Sequence, residues 1–222
     1  MATKFGRIFQ KELKHYVLFR RKIERELSRA IKLLRIHRGK SPLDVQVMAL
    51  ADFMLEINQV VADCFKHGFL SSGLHQLRLA QEVAQKLLAL HLKPPLAKRK
   101  KMTPGEVREV LEQGGIPHWR ELYSELSKVT HHHSDFIHRV YPEIRTGAKA
   151  TADNAVFIEF YLMILNDFNM KALFVILNQL KPHLGRDYGV LLAAYDELDP
   201  VAAADWETAN ANVEASFGVN SA

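Results

Sequence analysis

The sequence predicts an all-α protein, a bundle of long amphipathic helices. Three observations predict it. Glycine and proline are few and fall at a small number of points, which leaves long unbroken segments between them. Within those segments apolar residues recur at gaps of three and four, the period of one helix face. No segment shows the strict alternation of a half-buried strand, and no internal repeat is present.

The elements follow in order. Phe9, Leu13, Tyr16, Ile23, Leu27, Ala30 and Leu34 form an apolar seam with Arg20 at its one missing step, so a first helix is expected from Lys4 to Arg38, stopped by Gly39. Ser41-Pro42-Leu43-Asp44 combines an N-cap, a first-turn proline and a first-turn carboxylate, and opens a second helix running to about His67. A third is expected from Leu74 to Leu92, closed by Pro94-Pro95 and followed by a basic loop from Leu96 to Met102. Thr103-Pro104-Gly105-Glu106 is a capping box for a short helix that ends at Gly114-Gly115. Pro117 opens another, from His118 to about His133, and Tyr141 to Ala150 reads as a loop. Thr151 caps a helix of about thirty residues. A short helix from Tyr188 to Leu198 should be interrupted at Pro200, with Ala202 to Ala215 helical beyond it. Residues 1–185 are therefore expected as the bundle and 186–222 as an acidic, partly helical tail.

Charge is distributed unevenly. Met1 to Lys40 holds thirteen Lys or Arg against three Glu, and the segment from Asp187 onward holds seven acids and no Lys or Arg. The basic residues of the first helix share a face. Lys4, Arg7, Lys11, Lys14, Leu18, Arg21, Arg25, Ser28, Lys32 and Arg35 follow the helical period, and eight of these ten are basic. Like charges at these spacings repel, so the stripe has the form of a footprint for a polyanion such as nucleic acid. An acidic protein partner, the chain's own acidic tail and plain solvation are the alternatives. No aromatic residues for base stacking are interleaved in it. A second basic run is Lys98-Arg99-Lys100-Lys101.

The single cysteine, Cys64, excludes an internal disulfide and sits in an apolar run that suits a small buried side chain. No apolar leader region follows Met1. The most apolar stretch, Ala155 to Leu177, carries Glu159, Asp167 and Lys171, which suits a buried central helix better than a lipid span. A cytoplasmic protein without membrane contact is expected.

Two constellations could carry chemistry. His131, Asp135 and His138 would share a face if their helix continues, but three ligands from one helix lack a fourth, and no metal and no cofactor is expected. Glu12-Leu13-Lys14-His15 is a single Glu-x-x-His where a di-metal bundle needs two. Phosphate-binding loops, nucleophile elbows and His-Glu-x-x-His motifs are absent from the sequence. The second constellation is Arg78 with Glu82, one helical turn apart among Leu77, Ala80, Val83 and Leu87. Surface pairing and a buried functional pair are both open there.

The Arg78-x-x-x-Glu82 helix, followed by Tyr123-x-x-Leu126-Ser127-x-x-x-His131, resembles a group of uncharacterised bacterial helical proteins related to the HEPN superfamily, over roughly Leu50 to Leu180. The resemblance implies a HEPN-like bundle, a homodimer, and a toxin–antitoxin or phage-defence setting with RNA bound or cleaved. Nuclease members carry Arg, four to six residues, then His. No Arg in this chain is followed by His at that distance; Arg7 to His15 and Arg29 to His37 each have seven residues between. The resemblance therefore implies first a non-catalytic module that binds nucleic acid or a partner protein, with Tyr123 and Ser127 beside the basic face as binding residues. Its alternative is a ribonuclease using His131, Arg78 and Glu82.

Overall fold

The computed structural model describes residues 13–37, 41–67, 69–99, 101–116, 152–183 and 185–217. Every regular element among them is helical, as the periodicity predicts. In order they are α1 (Lys14–His37), α2 (Pro42–His67), α3 (Leu70–Leu92), a 3-10 turn (Pro94–Lys98), α4 (Pro104–Gln113), α5 (Ala152–Leu180), a second 3-10 turn (Lys181–His183) and α6 (Arg186–Phe217). The first, short segment of the predicted α1 and the whole predicted element after Pro117 lie outside the described residues.

Helix α5 is the centre of the bundle. It packs against α1, α3 and α6 and more lightly against α2. From Ile158 to Leu180 it is buried nearly all round, with Leu162, Ile164, Leu165, Ala172, Leu173, Val175 and Ile176 fully enclosed. That explains an apolar composition with no single hydrophobic face. Both Pro42–His67 and Ile158–Leu180 are long and apolar enough to cross a membrane by length and composition. They differ in burial, 39% of the first window against 78% of the second. The difference is the outer face of α2, where Val45, Phe53 and Val60 stay exposed.

The helix ends obey local chemistry. Ser41 Oγ accepts the Asp44 amide at 3.0 Å and donates to Asp44 Oδ2 at 2.6 Å, which caps α2. Thr103 and Glu106 close a reciprocal capping box on α4. Gly115, at φ +70°, takes the left-handed conformation after that helix. The expected basic loop after α3 is partly structured: Leu96 and Ala97 are buried, and Gln46 Nε2 donates to the Ala97 carbonyl at 2.8 Å.

Two boundaries differ from the sequence expectation. Helix α3 starts at Leu70 rather than Leu74. Gly73 lies inside its first turn because the Phe65 ring fills the space beside it; a Cβ there would stand 2.3 Å from Phe65 Cε1. The glycine permits close helix approach and does not break the helix. Helix α6 is continuous through Pro200, where an interruption is expected from sequence. Pro200 and Asp196 are both exposed, so the carbonyl that loses its amide partner faces water. Packing of Leu191, Leu198 and Ala209 against the bundle holds the helix on both sides of the proline. The 186–222 segment thus contributes a helix that lies along α5 and reaches α1.

Candidate anion-binding groove between the first two helices

The predicted seam of α1 is the buried one: Leu13, Tyr16, Arg20, Ile23, Leu27, Ala30 and Leu34 all point inward. The opposite face follows from it. Lys14, Arg21, Arg25, Lys32 and Arg35 are exposed, as are Lys22 and Arg29. Lys4, Arg7 and Lys11 lie outside the described residues. Part of this charge is locally balanced. Arg35 pairs with Asp52 of α2 at 3.0 Å, and Arg25 and Arg29 reach Glu26 at 2.8 and 3.8 Å. Lys14, Arg21 and Lys32 form no ion pair among the described residues. The acidic α6 meets α1 on another flank, where His15 Nε2 lies 2.9 Å from Asp205 Oδ1, so the described contact between tail and α1 does not use the stripe.

Between α1 and α2 a groove of about 390 Å³ opens. Its charged lining is Lys14, Arg20, Arg21 and Glu24 from α1 and Asp63 and Lys66 from α2, and Val17, Leu18 and Ala62 supply apolar wall. Arg20 is the floor. It is 4% exposed, and its Nη1 donates to the Asn58 carbonyl at 2.8 Å. Arg20 Nε is buried without a hydrogen-bond partner and stands 3.5 Å from Glu24 Oε1. Burial holds the Arg20 guanidinium below its ordinary pKa, with Glu24 acting in the opposite direction. Burial likewise raises the Glu24 carboxyl, against the pull of Arg20 and Arg21. At the rim Arg21 and Lys66 are exposed. Sequence reasoning placed Arg20 on the seam but did not read it as an anchor, and it missed Lys66. The available signal was a lone cation at an apolar step of an otherwise regular seam.

Behind the groove the core carries a polar chain. Asn58 Nδ2 donates to Asn169 Oδ1 at 2.6 Å and Asn169 Nδ2 returns a bond to Asn58 Oδ1 at 3.1 Å. Asn169 also donates to the Leu165 carbonyl at 2.8 Å. Further along, Tyr16 and Asn212 both donate to Glu159 Oε1, at 2.5 and 3.2 Å. Burial and the Glu159 carboxylate push the Tyr16 phenol well above its ordinary range.

Arg78 and Glu82 do face each other on α3, with Nε to Oε1 at 3.6 Å and side chains 16% and 31% exposed. This is the half-buried pair that their neighbours suggest. Tyr123, Ser127, His131, Asp135 and His138 lie outside the described residues, so the composite site with His131 falls there too. Among the described residues no group of three His, Cys, Asp or Glu is placed to hold a metal ion. Cys64 is half-buried, and burial first and Asp63 second push its thiol up, the opposite of what an activated thiolate needs. No protein-family model matches the chain, and no curated protein and no solved structure matches it either.

Proposed function

We propose that this chain is a non-catalytic helical module that binds nucleic acid through the exposed basic face of α1. The observation that carries the reading is the solvent exposure of Lys14, Arg21, Arg25, Lys32 and Arg35 on one side of a single helix, opposite the buried seam. A rigid row of cations captures phosphates with little base preference, because each contact releases condensed counterions. The HEPN-related bacterial setting and a homodimer belong to the same proposal and rest on the resemblance of the Arg78/Glu82 and Tyr123/Ser127/His131 motifs. A cytoplasmic location belongs to it too and rests on the charged residues within the most apolar stretch, Glu159, Asp167 and Lys171.

The test is retention of the full chain on heparin and on single- and double-stranded nucleic acid across a salt series. Binding should weaken steeply as salt rises. Reversal of Lys11, Lys14, Arg21 and Arg25 to Glu should abolish it. Absence of retention at low salt would leave the stripe as a solvated face or a contact for an acidic protein. Binding that survives the four reversals would move the site to Lys98, Arg99 and Lys101, which are exposed beyond α3.

A further inference from the structure

We infer that the groove between α1 and α2 seats a terminal phosphate monoester, so that the module grips the phosphorylated end of a strand as well as its backbone. The inference rests on the nucleic-acid reading for its biological ligand; the groove shares Lys14 and Arg21 with the stripe and adds Arg20 and Lys66. Four cations, Lys14, Arg20, Arg21 and Lys66, face two carboxylates, Glu24 and Asp63. The excess is two positive charges, the charge of a phosphate monoester dianion and twice that of an internal phosphodiester.

The cations are arranged in depth. Arg20 forms the floor, its buried Nε making no hydrogen bond but lying 3.5 Å from Glu24 Oε1, while Arg21 and Lys66 stand exposed at the rim. A guanidinium held in the floor by the Asn58 carbonyl is pre-oriented, which favours a phosphate oxygen over water. A phosphodiester must continue in both directions and lies along a surface. A group that descends to a buried floor between two helices is an end. The volume of about 390 Å³ exceeds what a phosphate group alone occupies and falls in the range of small-ligand sites. Val17, Leu18 and Ala62 then offer apolar wall to the carbons of the attached sugar.

The experiment compares one short single-stranded RNA carrying a 5′-phosphate with the same strand carrying a 5′-hydroxyl, by fluorescence anisotropy at fixed moderate salt with the full chain. The phosphorylated strand should bind about tenfold tighter, the worth of one charge-assisted contact set. The double variant Arg21→Gln/Lys66→Gln, changed at exposed positions so that folding is kept, should bind the two strands equally. Equal affinity in the unaltered protein, or a preference that survives in the double variant, overturns the inference. If neither strand binds at low salt, the nucleic-acid reading has failed by itself, and adenosine 5′-monophosphate decides the groove. Calorimetric binding that the double variant loses upholds the site, and absence of binding overturns it.

Discussion

Asn58 and Asn169 exchange hydrogen bonds in the fully buried interior between α2 and α5, each side chain serving as donor and acceptor to the other. An amide pair of this kind fixes the register of two helices, since a slip of one turn would leave both groups unpaired in an apolar core. Asn169→Leu should cost about 1–3 kcal/mol, because it strands the Asn58 amide. The double variant Asn58→Leu/Asn169→Leu should recover a substantial part of that loss. A double-mutant cycle by urea unfolding measures the coupling, and strictly additive losses would sink the register role.

Arg20→Met should be far more costly than any change on the basic stripe. It removes the partner of a largely buried carboxylate and of the Asn58 carbonyl, a loss of about 3 kcal/mol. Lys32→Ala, on the exposed face of the same helix, should stay within about 0.5 kcal/mol. Chemical unfolding of the two variants side by side checks the contrast.

Gly73→Ala should destabilise by about 1–3 kcal/mol, since the new methyl meets the buried Phe65 ring. Combining it with Phe65→Leu should cost less than the two single losses added together. Thermal melts of the three variants give the answer. A Gly73→Ala protein as stable as the parent would show that the Phe65 ring yields to the methyl without loss of packing.

The pH response of stability has a defined sign at His91. Burial against Phe174, whose ring centroid is 5.3 Å away, holds its folded pKa below the ordinary 6.5. A depressed histidine contributes stability that is fully present above 6.5 and is lost as pH falls through the lower folded value. His91→Gln should therefore flatten part of the decline in unfolding free energy below pH 6.5. An unchanged slope would show that other groups carry the acid sensitivity.

Much of the fold was legible because the signals were local. The α1 seam, the Ser41 cap, the Thr103–Glu106 box and the apolar run of α5 each depend on residues within a few positions of one another. The errors came where distant packing overrode a local rule. The third helix is expected only from Leu74, and its earlier start is seen once Gly73 is found packed on the Phe65 ring. Pro200 reads as a stop until Leu191, Leu198 and Ala209 are seen docked on either side. The candidate groove was half legible: the stripe gives Lys14 and Arg21 from periodicity. Lys66 joins them only because antiparallel packing brings the end of α2 to the start of α1. Arg20 shows the same limit, since its guanidinium is held by the carbonyl of a residue thirty-eight positions away.

The arrangement of α5 and α6 has a consequence for how the chain is made. Helix α1 buries Tyr16 against Glu159, 143 positions later, and Glu159 in turn is held by Asn212 of α6. A ribosome releases these partners in sequence, so α1 to α4 emerge long before the helix that covers them exists. During that interval Phe19, Ile23 and Leu27, buried in the finished bundle, lack the cover of α5. The contacts that close α1 therefore join residues far apart in the chain, and the entropy of closing such long loops must be met before those contacts stabilise anything, which slows folding.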